Sequence, residues 1–363
     1  MKSKLIQNII LLLTTIVIFI LLIEIIARIF IFFFPTYICY THPNPEDVFL
    51  CEQMHHLSKS LENNLTLRAN QDICAKWDIE IGWVPKPNCK TAKYTTNSNG
   101  IRGKKEFDLK KSKVRIVILG DSFTWGENNL DNETYPFYLD ELSNGGFDVL
   151  NMGVNGYGPD QFYLYFMRDG FKYEPDIVIF GLFFPDIHRT VFKFRYYFKP
   201  RFIIENDKLK FDADSSPIPD LKTALQMSSE INEKNRFYSL SFLYVSYTKL
   251  TRLVTAYEKE TSLTLKIIDQ MDKELKKRNI KLIVLLIPEQ EMVEKSNTNY
   301  YGVVPKITSY LGSKDIDYIN LQPIFKKETE MNNQSLYAGH LKPIGNKIIA
   351  NELFAYLTKK GIT

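Results

Sequence analysis

The sequence predicts an α/β fold with a parallel sheet covered by helices on both faces. Two observations predict it: apolar runs of strand length recur from Val114 onward, and helical patterns separate them. A strand is expected at 114–119, a helix at about 135–143, and a strand at 148–152. A helix near 161–168 then leads to a strand at 176–182. After a long interval the pattern resumes with an amphipathic helix at about 262–278, strands at 281–287 and 317–321, and a last helix at about 344–359. The interval itself, 183–246, is aromatic-rich with scattered charges and a Ser-Ser-Pro-Ile-Pro run, and reads as an insertion or lid.

The first 35 residues differ in kind. Residues 5–23 are almost wholly apolar, interrupted only by Gln7, Asn8, Thr14 and Thr15, and 29–34 continue the character up to Pro35. That length crosses a bilayer, and Glu24 and Arg28 are spaced to pair on one helix face. The apolar stretch is too long for a signal-peptide h-region and lacks a small-x-small cleavage site, which favours an uncleaved anchor. Lys2 and Lys4 precede it, whereas no Lys or Arg occurs between Pro35 and Ser58. The positive-inside rule therefore predicts a single-pass protein with a cytoplasmic N-terminus and its main domain outside, in the bacterial periplasm or at the cell surface.

The rest of the composition is that of a globular protein: 363 residues, 45% hydrophobic, 24% charged, net charge +4. No basic patch points to nucleic acid. The four cysteines, Cys39, Cys51, Cys74 and Cys89, all precede the first strand, and none forms a CxxC pair of the zinc type. In an oxidising compartment they can form two disulfides in one of three pairings; the alternative is free buried thiols. No metal or cofactor is expected. Residues 36–110 read as an irregular, disulfide-pinned lead-in.

Chemistry concentrates in three segments. The first strand ends in Gly120-Asp121-Ser122-Phe123-Thr124-Trp125-Gly126, at the carboxyl edge where open α/β sheets place their active residues. Ser122 there is a candidate nucleophile, and the plainer reading is that it caps a helix. Of the five histidines, His340 stands between Gly339 and Pro343 in a loop entering the last helix, and is the candidate base. Gly153, in Asn151-Met152-Gly153-Val154-Asn155-Gly156-Tyr157-Gly158, ends another strand, so its N–H is a candidate oxyanion donor beside that of Ser122.

In this order the three segments resemble the SGNH (GDSL-type) hydrolase family, in its membrane-anchored bacterial branch. Gly120-Asp121-Ser122 is similar to the first motif, Gly153 to the glycine block, and His340 with Gly345-Asn346 to the last. Thr95-Thr96-Asn97-Ser98-Asn99-Gly100-Ile101-Arg102-Gly103 looks like the lead-in of that branch. The resemblance covers roughly residues 80–360. It implies a flavodoxin-like three-layer αβα sandwich over 111–363, following the anchor at 1–35 and the lead-in at 36–110. It also implies a Ser122–His340 mechanism with an oxyanion hole from Ser122 and Gly153.

Two positions depart from the family pattern. Pro185 stands where the family carries an oxyanion-donating Asn, and proline offers neither side-chain donor nor N–H. Tyr337 and Ala338 stand where an acid would orient the histidine, which leaves Asp186 and Glu289, near strand ends, as candidate acids, or a backbone carbonyl in that role, or no acid at all. The expected function is a membrane-tethered serine esterase or O-acyltransferase acting on acyl esters, foremost acetyl, of envelope polysaccharide or lipid. The alternative is an inactive module of the same fold that binds glycan or serves assembly.

Overall fold

A computed structural model of the protein describes residues 2–33, 74–193, 195, 198–215, 258–295 and 302–362. The chain divides into two compact units, 1–67 with 219–256, and 68–218 with 257–363.

In the first unit the described residues form one helix, α1 (Lys2–Phe33), whose apolar stretch Gln7–Ile26 is long enough to cross a membrane by length and composition. Its large apolar side chains from Ile9 to Ile29 are exposed. Thr14 and Thr15 donate their hydroxyls to the carbonyls of Ile10 and Leu11, so neither leaves an unpaired donor on the apolar surface. The positions of Cys39, Cys51, His42, His55 and His56, and residues 219–246 of the expected insertion, lie outside the described residues.

The second unit is built on five parallel strands: β3 (Val114–Gly120), β4 (Phe147–Gly153), β5 (Ile177–Phe183), β8 (Lys281–Ile287) and β9 (Asp317–Asn320). Their spatial order is β4-β3-β5-β8-β9. Counted along the sheet alone this is the flavodoxin-like order 2-1-3-4-5, whose switch point lies between β3 and β5. Alternate residues of each strand feed two separate cores. Val117, Leu119, Phe180 and Val284 face α4 (Pro159–Tyr165), α5 (Glu258–Lys276) and α7 (Val303–Ser313). Ile116, Ile118, Ile179 and Leu285 face α3 (Tyr135–Leu142), α8 (Gln322–Asn332) and α9 (Pro343–Lys359). Burial on both faces is why these strands read as continuous apolar runs.

The expected strands and helices occur at the places read from sequence, within four residues at their ends. The helix expected at 161–168 is α4, which ends at Tyr165 and widens into a π-helical turn, Phe166–Gly170. There the Phe166 ring lies against Gly170, where an added Cβ would stand 2.3 Å from it. Elements beyond the sequence reading are α7, α8, the short helices α2 (Ser122–Trp125) and α6 (Gln290–Glu294), the hairpin β6 (Phe202–Glu205)–β7 (Lys208–Phe211) in the expected insertion, a hairpin at 75–85 in the lead-in read as irregular, and a small one at 337–341 in the stretch read as a loop.

The described part of the lead-in belongs to the same unit as the sheet. Hairpin β1 (Ala75–Asp78)–β2 (Gly82–Pro85) contributes Ile81, Trp83 and Val84 to the first core. A disulfide joins Cys74 to Cys89. Trp83 donates its indole N–H to the Asn155 carbonyl at 3.0 Å, and Gln161 donates to the Ile81 carbonyl at 2.8 Å. The hairpin thereby fastens the glycine-rich turn after β4.

Candidate active site

At the strand tips three glycines stand side by side, Gly153 of β4 paired with Gly120 of β3, and Gly120 with Gly181 of β5. The turn α2 sits on this row. A Cβ on Gly153 would come within 2.4 Å of the Trp125 nitrogen, and one on Gly120 within 2.0 Å of Thr124 Oγ1. Close approach of α2 to the sheet thus requires residues without side chains.

Asp121 caps α2: its Oδ1 accepts from the Phe123 N–H at 2.8 Å. Ser122 is therefore released from the capping task. Its side chain is buried, and its Oγ lies 2.9 Å from Nε2 of His340 and 3.2 Å from Asp121 Oδ2. His340 is carried by β11 (His340–Leu341), paired with β10 (Tyr337–Ala338) around Gly339, whose φ of +77° suits glycine. The Tyr337 hydroxyl ties this small hairpin to the Pro288 carbonyl at 2.7 Å. The imidazole packs against the Phe123 ring, centroids 5.1 Å apart, and Phe123 stacks on Phe183 at 3.8 Å. Burial lowers the His340 pKa from its ordinary value; Asp121 and Glu127 oppose this, and Arg189 adds to it.

Gly153 stands at the expected strand end, but its N–H donates to Asn151 Oδ1 at 3.0 Å. Asn151 in turn donates to the Thr124 carbonyl, locking β4 to α2. Gly153 here makes room for α2, and its amide is occupied. Among the described residues, the N–H groups of Asn155 and Gly156 in the following turn take no hydrogen-bond acceptor, nor does that of Ser122.

Neither candidate acid touches His340. Asp186 is buried beneath the nucleophile turn in the 3₁₀ segment Phe184–Val191. There Arg189 Nη1 bridges Asp186 Oδ1 at 2.6 Å and Asp121 Oδ2 at 3.1 Å, and donates to the Tyr157 carbonyl at 2.8 Å. Burial drives the Asp186 pKa well up, Arg189 opposes this, and Asp121 adds to it. Asp186 thus sits in a buried cluster with Asp121 and Arg189 beneath the nucleophile turn. Glu289 stands at the N-cap position of α6 and is also pushed up by burial, with Glu291 adding to the effect. Pro185 opens the 3₁₀ segment as its second residue.

The residues nearest the other imidazole nitrogen were not singled out by sequence. Asn128 places its side-chain amide nitrogen 3.5 Å from His340 Nδ1. Buried Asn129 donates to the Leu341 carbonyl at 2.9 Å and to the Glu127 carbonyl at 3.0 Å. Arg102 supports this loop from below, donating to the carbonyls of Gly126 at 3.2 Å and Asn129 at 2.8 Å and pairing with Asp131 at 3.2 Å. Its guanidinium lies over the rings of both Tyr94 and Trp125, 4.9 and 5.1 Å from their centroids. The signal in the sequence was adjacency: Glu127-Asn128-Asn129 follows the nucleophile turn directly, and Arg102 lies in the lead-in segment already noted.

No family model matches the chain, and no curated protein matches it in sequence. Among solved structures it is similar to a lipolytic protein of the G-D-S-L family from Desulfitobacterium hafniense DCB-2, at 15% identity and a TM-score of 0.39, covering 67% of this chain and 99% of that one. An acetyl xylan esterase, AlAXEase, gives 15% identity and a TM-score of 0.44 over 67% of this chain and 100% of the other. The esterase EstA from Pseudoalteromonas sp. gives 13% and 0.41 over 69% and 100%. These likenesses are distant, and the chemistry of this chain rests on its own residues. The order of its Gly-Asp-Ser, glycine and histidine segments makes the chain similar to the SGNH (GDSL-type) hydrolases.

Proposed function

We propose that this chain is a serine ester hydrolase or acyltransferase of the SGNH type, with Ser122 as nucleophile and His340 as general base. One observation carries the reading: Ser122 Oγ and His340 Nε2, 218 positions apart in sequence, stand 2.9 Å apart at the sheet's switch point. Ser122 Oγ attacks the ester carbonyl while Nε2 takes its proton. The tetrahedral oxyanion is held by the Ser122 N–H and by an amide of the Asn155–Gly156 turn, since that of Gly153 is occupied. The imidazolium then protonates the departing alkoxide, leaving an acyl-serine. Water, or an acceptor hydroxyl in the transferase variant, attacks that ester with His340 as base, and Ser122 recovers its proton.

The substrate class follows from placement. A chain tethered by α1 with its main domain outside would meet acyl esters, foremost acetyl, on envelope polysaccharide or lipid. The domain division at 35 and 110 belongs to the same proposal. A second reading, a module of this fold that binds glycan without turnover, is favoured by Pro185 and by the absence, among the described residues, of a carboxylate at His340 Nδ1.

Turnover of 4-nitrophenyl acetate and of an O-acetylated glycan by the full chain in detergent decides between them. The enzyme reading predicts measurable turnover, with kcat falling about 10³-fold or more in Ser122→Ala. Absence of turnover, or a Ser122→Ala variant as fast as wild type, would contradict it.

A further inference from the structure

A serine–histidine pair works as a base only if Nδ1 carries the resting proton, because Nε2 must accept from Ser122. That proton needs an acceptor to hold the tautomer and ring orientation. Asp121, Glu127 and Arg189 bear on the imidazole electrostatically, yet none hydrogen-bonds Nδ1. Asp121 is committed to the Phe123 N–H, Ser122 and Arg189, and Glu127 accepts from the Asn155 side-chain amide.

Among the described residues, one side chain does face Nδ1. Asn128 reaches it across 3.5 Å, slightly beyond a formed hydrogen bond. Turning this exposed amide by 180° about its last torsion presents Oδ1 in place of Nδ2, and a carbonyl oxygen accepts from Nδ1–H. Its backbone is preset for the task. At φ +69° Asn128 occupies the left-handed region, which Asn and Asp tolerate better than other non-glycine residues, and this turns its side chain back toward the histidine hairpin. The distance is fixed from both sides: Asn129 clamps the loop to the Leu341 carbonyl, next to His340, and Arg102 clamps Asn129 from beneath.

We propose that Asn128 is the positioning residue for His340, so that the chain uses a Ser122–His340–Asn128 arrangement in place of a carboxylate triad. The proposal rests on the esterase reading. Asn128 neither touches the substrate nor moves a proton; it accepts from Nδ1–H and holds Nε2 toward Ser122.

The test compares Asn128→Gly and Asn128→Asp in the full chain with wild type and Ser122→Ala, by the pH dependence of ester turnover. Both variants keep the positive φ, so both fold. Removing the amide in Asn128→Gly is expected to lower kcat about tenfold or more with KM nearly unchanged, a fraction of what positioned proton transfer contributes. Asn128→Asp puts a charge beside the imidazole. It is expected to keep substantial activity and to move the acid limb of kcat/KM to higher pH, because the anion stabilises imidazolium. A merely structural role would leave that limb in place. Wild-type kcat in Asn128→Gly together with an unmoved limb in Asn128→Asp overturns the assignment while Ser122-dependent turnover persists. Loss of Ser122-dependent turnover in wild type itself overturns both the assignment and the reading beneath it.

Discussion

At Ser122 a single hydroxyl proton lies between two acceptors, His340 Nε2 at 2.9 Å and Asp121 Oδ2 at 3.2 Å. Asp121 Oδ2 also accepts from the Arg189 guanidinium at 3.1 Å, and the imidazole is partly buried. Because the base works only when neutral, the rate of attack rises with pH through the His340 pKa. Burial lowers that pKa, so the acid limb of kcat/KM is expected below the ordinary imidazole value of about 6.5. A limb at or above 7, measured by initial rates across pH, would contradict this electrostatic account. Ser122 and His340 were legible because Gly-Asp-Ser closes an apolar strand and few histidines compete. The commitment of the Gly153 amide was not legible, since it depends on the Asn151 side chain reaching two residues forward within its own strand. Nor was Asn128, whose role depends on a left-handed backbone that the sequence permits without announcing.

Among the elements, the five strands were legible because burial on both faces leaves unbroken apolar runs. Helix α7, which carries Pro305 in its first turn and Gly312 near its end, gives a broken pattern, and α8 fully buries only Phe325. The stripe of α7, Val303, Ile307 and Leu311, is short, and α8 lacks the long amphipathic stripe that marks α5. The loop Gly126–Asp131 has no regular structure of its own beyond the start of a 3₁₀ turn, and Arg102 takes over its backbone accounting. Arg102→Ala removes the donors to two carbonyls and leaves Asp131 without its Arg102 partner. It is expected to destabilise the domain by on the order of 3 kcal/mol and to lower kcat as the Asn128–Asn129 clamp loosens. Thermal unfolding alongside ester turnover checks this; a stability within about 0.5 kcal/mol of wild type, the usual range for a surface substitution, would show the clamp to be dispensable.

Across the whole molecule, one apolar helix precedes a parallel α/β unit whose strand order places Ser122 at its switch point. The described lead-in, 74–110, serves the site: it fastens the turn after β4 through Trp83 and the loop after α2 through Arg102. The central claim is that Ser122 is an activated nucleophile, and covalent labelling by a fluorophosphonate followed by peptide mapping tests it most directly. Rapid labelling confined to Ser122, and lost in His340→Ala, is the predicted result; an unlabelled Ser122 in the folded wild-type chain would contradict it.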